Sequence, residues 1–166
     1  ENPVLRGYNL GMERSEEPSA DVYIQEIGNP KNYSEIVFCG YGEPTIRWNV
    51  VKDIARYVKA NGGMTRINTN GHSNVINKKD ITPEMKGLID VVSISLNTFD
   101  PKQYSELVGL ESSYFDEMID FAKKSKQYVQ NVVMTIVSID EVDIERARKI
   151  TEKEIGAEFR VREFFS

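Results

Sequence analysis

The chain has 166 residues, of which 40% are hydrophobic and 28% charged, a composition typical of a globular protein with its own core. It contains no run of about 18 apolar residues, so the sequence predicts no membrane span. Its start lacks the basic and apolar segments of a signal peptide. A net charge of −5 argues against a general nucleic-acid-binding face, because such faces are basic. We therefore expect a cytoplasmic protein that binds neither membrane nor nucleic acid.

Short apolar runs rich in β-branched residues alternate along the chain with longer amphipathic segments, which is the pattern of strands separated by helices. In chain order the sequence predicts helix 19–27, strand 35–39, helix 46–60, strand 64–68, strand 91–96, helix 101–108, helix 114–128, strand 131–137, helix 141–154 and strand 158–164. No strand-like run precedes the first helix.

Two of these helices have clear end signals. Thr45 is a plausible N-cap for helix 46–60, whose apolar face starts at Ile46, and Asn61-Gly62-Gly63 predicts its end. Asp100 precedes Pro101, which suits the first turn of the next helix.

Strands separated by helices imply right-handed crossovers and a parallel sheet. An α/β fold with either an open doubly wound sheet or a partial (β/α) barrel fits the pattern. In both, ligands bind at the carboxyl ends of the strands. The loops after residues 39, 68, 97, 137 and 163 are therefore expected to form one functional rim.

The segment GYGEPT, residues 40–45, follows the first strand of the predicted sheet. It is no P-loop, because no Gly-Lys-Ser/Thr follows, and Thr45 replaces the third glycine of a dinucleotide fingerprint. Pro44 pushes Glu43 toward an extended conformation, so the carbonyl groups of residues 41–43 are candidates to point outward. Exposed carbonyls beside a carboxylate suit an ammonium group. The alternative is an ordinary turn in which Glu43 caps nearby amides.

Polar side chains gather at the other strand ends. Those that share a face by the two-residue period are Asn68 with Asn70, Ser93 with Ser95 and Asn97, and Arg160 with Arg162, while Thr135 comes from the fourth strand. Inside a barrel such groups need partners, which a polar ligand, water or neighbouring strands can supply. An arginine there is a carboxylate clamp, whereas on the outer face it pairs with a helix glutamate.

The single histidine and the single cysteine are weaker signals. His72 beside a glycine is typical of a loop residue, and Cys39 within an apolar run is typical of a buried one. One cysteine leaves no intramolecular disulfide and no cysteine-rich metal site.

Four segments in a fixed order, "IVFCGYGEPT", "RINTNG", "DVVSISLNTFDPKQYSEL" and "EFRVREFF", resemble the radical S-adenosylmethionine (radical SAM) superfamily. The resemblance extends from about residue 8 onward and is greatest to the branch associated with TatD-type nucleases. Activating-enzyme-like proteins are more distant kin.

The resemblance implies a partial (β/α)6 TIM-like barrel with a 4Fe-4S cluster that passes an electron to S-adenosylmethionine. Cleavage yields methionine and a 5′-deoxyadenosyl radical, which takes a hydrogen from a substrate. An external electron donor and an unknown substrate are the implied partners. Tyr41, Gly42 and Glu43 resemble the element that holds the methionyl amino group.

The resemblance also assigns cofactor-binding roles to residues at later strand ends. Asn68, Ser95 and Asn97 are the candidates for contacts with the methionyl or ribose part. Thr135 and Arg162 are candidates to line the same cavity. Asn70 is a further candidate because it shares a strand face with Asn68.

The chain departs from the family in one respect. The family's cluster is held by three cysteines on the loop after the first strand, and Cys39 cannot replace them. We therefore expect residues 1–166 to be one radical SAM core domain, N-terminally truncated to about five strands, with the first strand missing. It should be inactive, with no catalytic or metal-ligating residue of its own. The edge of strand 35–39 should pair with a second copy or be covered by residues 1–17.

Two other functions stay open. The chain could be a non-catalytic adenosyl- or nucleotide-binding α/β domain that keeps GYGEPT and the strand-end polar residues. A metal-dependent barrel hydrolase using His72 is the third reading, which a single histidine disfavours.

Overall fold

The computed structural model describes residues 4–5, 8–9, 16–40, 42–138 and 142–163. Its helices and strands are β1 (Val4–Leu5), β2 (Tyr8–Asn9), α1 (Ala20–Ile27), β3 (Ile36–Phe38), α2 (Trp48–Ala60), β4 (Thr65–Thr69), α3 (Ser73–Asn77), β5 (Val91–Ser95), α4 (Pro101–Val108), α5 (Ser113–Ser125), β6 (Asn131–Val137), α6 (Ile144–Ile150) and β7 (Glu158–Arg162). Short 3-10 turns lie at Pro30–Asn32, Pro44–Arg47 and Thr82–Met85, and a π-helical turn at Thr151–Ile155 continues α6.

Strands β3 to β7 form one parallel five-stranded sheet, and they lie side by side in chain order. This confirms the predicted α/β fold with five parallel strands. A doubly wound sheet reverses its strand order at a switch point, whereas a barrel does not. The observed order is therefore that of a partial TIM-like barrel.

The two faces of the sheet differ in polarity. The apolar face packs on the helices, and its fully buried side chains include Ile67, Val92, Ile94, Met134 and Ile136. From the helices, Val58 of α2 and Met118, Phe121 and Ala122 of α5 join the same core. Successive side chains of a strand point to opposite faces, so the residues between these core positions form the second, polar face.

Strand β3 lies at one edge of the sheet and pairs only with β4 among the described residues. The predicted open edge at 35–39 is thus present in that part of the chain. Of residues 1–17, only 4–5, 8–9 and 16–17 are described, so coverage of this edge by that segment, or by a second copy, stays a prediction.

The start of the helix predicted at 46–60 is different from the expectation. Pro44–Arg47 forms a 3-10 turn, and α2 begins only at Trp48. Glu43 caps this 3-10 turn, because its carboxylate accepts a hydrogen bond from the Thr45 N–H at 3.1 Å, and α2 itself follows Arg47 without a side-chain cap, so the predicted N-cap role of Thr45 is wrong. As a result Ile46 lies in the turn and is 61% exposed, so its predicted place on the core-facing side is wrong.

Other predicted helix ends are confirmed. The C-cap of α2 is Asn61, followed by Gly62 at a φ of 74°, a left-handed conformation that suits glycine. Asp100 caps α4 by accepting hydrogen bonds from the N–H groups of Lys102 and Gln103, each at 2.9 Å.

Some short elements escaped the sequence analysis. Strands β1 and β2 form an antiparallel pair before α1, where no strand was expected, and the five-residue α3 was also missed. Two residues are too few to show the alternation of a strand, and five residues span little more than one turn of a helix, so neither shows its period. Among the described residues, no helix is long and apolar enough to cross a membrane.

Candidate functional site

A cavity of about 300 Å³ lies over the polar face of the sheet. Every strand from β3 to β7 contributes to its lining, which consists of Glu35, Val37, Arg66, Asn68, Ser93, Ser95, Thr135, Arg160 and Arg162. Small-molecule sites occupy about 300–1,000 Å³, so the volume is at the lower end of that range.

Four of the nine predicted site residues line this cavity: Asn68, Ser95, Thr135 and Arg162. The strand register explains the grouping, because Ser95 lies beside Thr135 and Asn68 beside Ser93. Asn97 follows β5, half-buried, with a left-handed φ of 63° that asparagine tolerates.

The same cavity is also lined by Glu35, Val37 and Arg66, which were not predicted as site residues. The sequence does contain a signal for Arg66: it precedes Asn68 by two residues and therefore lies on the same face of the strand. Arg160 and Arg162 share the cavity-lining face, as predicted.

Several polar groups in the cavity have no hydrogen-bond partner among the described residues. Within the described ranges, the side chains of Asn68, Ser93 and Ser95 make no hydrogen bond, and Thr135 Oγ1 donates only to the Ile94 carbonyl, at 3.3 Å. Their amide and hydroxyl groups are therefore available to a polar ligand or to water.

The arginine side chains that line the cavity differ in their ion pairing. Arg66 Nε donates to both carboxylate oxygens of Glu35 at 3.0 Å, so this pair is internally neutral. Arg160 Nη2 stands 3.9 Å from Glu158 Oε1, and Arg162 has no ion pair within the described part of the chain. The β7 side of the cavity therefore presents guanidinium groups to an anion such as a carboxylate.

The Glu43 carboxylate is fully engaged by the protein. Its Oε1 accepts from Thr45 N at 3.1 Å and Thr45 Oγ1 at 2.6 Å, and its Oε2 accepts from Asn70 N at 2.9 Å. Thr69 Oγ1 lies 3.0 Å from both oxygens. The structure therefore agrees with the alternative prediction, in which Glu43 caps nearby amide groups.

The Glu43 carbonyl corrects another expectation. It accepts a hydrogen bond from Ile46 N at 3.2 Å, so it points into the 3-10 turn and not outward. Tyr41 lies outside the described residues. No donor reaches the Gly42 carbonyl within the described ranges.

The backbone at Gly42 is open on the side where a side chain would stand. Its φ is not in the left-handed region, and a Cβ there would meet no atom of the described residues within 4 Å. The fold therefore does not require glycine at this position, which leaves close approach by a ligand as a reason for it.

Asn70 and His72 serve the loop that follows β4. Asn70 Oδ1 accepts from His72 N at 2.9 Å, so this predicted site residue closes a turn. The His72 side chain is not a loop surface group: it is 4% exposed, with Nε2 at 3.0 Å from Tyr104 Oη and 3.1 Å from the Tyr114 carbonyl. Burial lowers the pKa of His72 and favours the neutral imidazole.

The possible metal ligands of the described residues do not cluster. Among the described residues, no three His, Cys, Asp or Glu side chains stand together as a metal site. Cys39 is exposed just after β3 ends at Phe38, so its predicted burial is wrong. One cysteine cannot supply three thiolates, and the residues of this chain therefore do not fit a 4Fe-4S cluster.

A larger cavity of about 410 Å³ lies beside the loop after β5. Its lining consists of Thr98, Phe99, Asp100, Lys102, Gln103, Glu106, Asp143 and Arg146. Two of its acids, Asp100 and Asp143, cap helices α4 and α6, and it contains no predicted site residue. Helix capping accounts for these two carboxylates, so the cavity over the sheet is the better candidate.

Comparison with known proteins agrees with the fold and the motifs. The family model of the radical SAM superfamily matches residues 8–153. An uncharacterized protein of Methanocaldococcus jannaschii is 28% identical over 110 residues, 66% of this chain and 37% of the relative. A second protein of that organism, provisionally named a glycyl-radical enzyme activating enzyme, is 31% identical over 137 residues, 76% of this chain and 55% of the relative.

Solved structures of Streptococcus suis SuiB share the fold. SuiB bound to S-adenosylmethionine matches with a TM-score of 0.68 at 18% identity, over 95% of this chain and 36% of SuiB. SuiB bound to the precursor peptide SuiA matches with a TM-score of 0.65 at 19% identity, over 89% and 33%. The chain thus spans about a third to about half the length of these proteins. The predicted TatD-associated branch stays a prediction.

Proposed function

The chain belongs to the radical SAM superfamily, and from this premise we propose that the cavity over its sheet binds S-adenosylmethionine. In this family a 4Fe-4S cluster supplies the electron that cleaves this molecule to a 5′-deoxyadenosyl radical. The thiolates for such a cluster are not among these 166 residues. The chain's own contribution is therefore to bind and orient S-adenosylmethionine, and by itself it is inactive in cleavage.

The observation that carries the proposal is the set of unpartnered polar groups at neighbouring strand ends. Asn68 and Ser95 offer hydrogen-bonding groups to ribose or methionyl atoms, and Thr135 lies beside Ser95. Arg162 stands on β7 without an ion pair among the described residues and suits the methionyl carboxylate. The open backbone at Gly42 suits the ammonium group.

The whole reaction involves further partners in this proposal. Residues 1–166 are one core domain, and an external electron donor and a separate substrate complete the enzyme. SuiB, a neighbour in fold, is solved with a precursor peptide, which supports a separate substrate.

Titration calorimetry with S-adenosylmethionine tests the binding step. We expect saturable binding by the chain, and about fivefold to tenfold weaker binding when the unpartnered amide is removed in Asn68→Ala, because a net hydrogen bond contributes about 1 kcal/mol. Asn49→Ala is the matched control, since Asn49 is exposed on helix α2. Absence of binding by the unmodified chain, or equal affinity of both variants, would contradict the proposal.

The single cysteine favours a second candidate, a non-catalytic adenosyl-binding domain. The reading frame upstream separates the two functions. Three cysteines separated by three and two residues, and release of methionine and 5′-deoxyadenosine by the anaerobically prepared longer protein under reduction, would support the enzyme. Their absence would leave the binding domain.

A further inference from the structure

The larger cavity, beside the loop after β5, is lined by charged side chains of both signs. Three are acidic and two are basic: Asp100, Glu106, Asp143, Lys102 and Arg146. Among the described residues, none of these five forms an ion pair, although they line one cavity of about 410 Å³. Charges that do not neutralise one another are available to a ligand that itself carries both signs.

Helix capping uses only one oxygen of each aspartate in this cavity. Asp100 Oδ1 accepts from the N–H groups of Lys102 and Gln103, each at 2.9 Å. Asp143 Oδ1 accepts from the Arg146 N–H at 2.9 Å. Within the described part of the chain, the Oδ2 atoms of both aspartates accept no hydrogen bond. Since a carboxylate offers about four lone-pair sites, both side chains can still accept from a ligand.

The loop that carries Asp100 is held in a fixed position. Thr98 is 2% exposed, and its Oγ1 accepts from the Asp100 N–H at 3.1 Å and donates to Gln103 Oε1. Next to it, Phe99 packs edge to face on Phe115 of α5, with ring centroids 5.8 Å apart. The cavity therefore has a fixed carboxylate and a fixed aromatic wall, and such preorganisation lowers the free-energy cost of binding.

We propose that this cavity binds an α-amino acid as its zwitterion, with an apolar side chain against Phe99. The free aspartate oxygens receive the ammonium, and the guanidinium of Arg146 receives the carboxylate. A ligand that is only an anion would meet three carboxylates, whereas one that is only a cation would meet the two basic groups. The inference goes beyond the binding of S-adenosylmethionine and does not depend on it, because no residue lines both this cavity and the cavity over the sheet.

Three probes with the same aromatic group test the two charged contacts. L-Phenylalanine carries both charges, L-phenylalaninamide keeps only the ammonium, and hydrocinnamate keeps only the carboxylate. Amide chemical-shift titrations of the isotopically labelled chain locate each probe and measure its affinity. L-Phenylalanine should shift the amides of Asp100, Lys102 and Arg146. It should bind about tenfold more tightly than either analogue, because each analogue lacks one charge-assisted contact.

Two variants should separate the two ends of the ligand. Asp143→Asn keeps a capping oxygen, since asparagine caps helices as well as aspartate does, but replaces the other oxygen with an NH₂ group. It should weaken L-phenylalanine and L-phenylalaninamide about tenfold and leave hydrocinnamate bound at least as tightly. Arg146→Gln should weaken L-phenylalanine and hydrocinnamate by a similar factor and spare L-phenylalaninamide. Asp53→Asn and Arg56→Gln are the matched controls, because they make the same charge changes in an exposed ion pair on α2.

Asp100→Asn guards against an Asp143→Asn variant that does not fold, and it should show the same selectivity among the probes. Absence of shifts at the cavity amides with millimolar L-phenylalanine overturns the proposal, as does an equal loss of affinity for all three probes in either variant. Displacement of L-phenylalanine by S-adenosylmethionine, with shifts at Asn68 and Ser95, would also overturn it. If the chain binds L-phenylalanine here but no S-adenosylmethionine, only the proposed function fails.

Discussion

Gly42→Ala separates the requirements of the fold from those of the ligand. The backbone there is not left-handed, and in the part of the chain that the structure describes the added methyl would meet no atom within 4 Å. We therefore expect no loss of stability. The free energy of unfolding should stay within about 0.5 kcal/mol of its value in the unmodified chain, or rise by about 0.4–1 kcal/mol because alanine lowers the conformational entropy of the unfolded chain. The methyl would, however, occupy the space through which a ligand approaches the main chain.

Loss of that approach should weaken binding of S-adenosylmethionine about tenfold, which corresponds to about 1.4 kcal/mol. Urea unfolding and titration calorimetry on the same preparation measure both quantities. The Asn49→Ala variant again controls for changes in protein quality. A Gly42→Ala protein that binds as tightly as the unmodified chain would refute the reasoning that places the ligand against this backbone.

Further predictions concern stability. The Lys52 ammonium, at 2.5 Å, lowers the pKa of Glu84 from 4.5 to about 2, so this carboxylate stabilises the fold above about pH 4.5 and the stabilisation disappears as pH falls toward 2. In urea unfolding, Glu84→Gln should therefore lower the free energy of unfolding by about 1–2 kcal/mol near neutral pH, a value already reduced for solvent screening at this partly exposed site. Near pH 3 the loss should be smaller, and equal losses at the two pH values would contradict the assignment. Gly71→Ala should lower the free energy of unfolding by about 2–4 kcal/mol, because φ is 86° and the methyl would stand 2.5 Å from Met118 Cγ; a thermal melt like that of the unmodified chain would count against it. Asp100→Ala should cost about 0.5–2 kcal/mol in the same melt through loss of the α4 cap, and no change would argue against capping.

The order and type of the main elements could be predicted because periodic apolar patterns of five residues or more carry the information. Strand period also predicted which side chains share a face, and the register brings Asn68, Ser95 and Thr135 into one cavity. The edge position of β3 was expected from the family resemblance, which implies that a preceding strand is missing, and not from any local pattern.

The spacing of residues along the sequence does not show which hydrogen bonds and contacts form between distant parts of the chain. Glu43 caps the 3-10 turn, and donors at the end of β4 and just after it, 26 and 27 residues away, also converge on its carboxylate. His72 is buried because Tyr104 and Tyr114 are brought to it by helices α4 and α5, a contact that no local pattern encodes. Cys39 is exposed because β3 ends one residue earlier than the apolar run.

The most direct test of the account is to map S-adenosylmethionine onto the chain by amide chemical-shift changes in the isotopically labelled protein. We predict changes in the cavity at Asn68, Ser95 and Thr135 and on its β7 side at Arg162, together with a change at Gly42 in the loop after β3. Changes confined to the second cavity, at residues such as Asp143, or no changes at saturating ligand, would contradict the claim that the polar face of the sheet is the binding site.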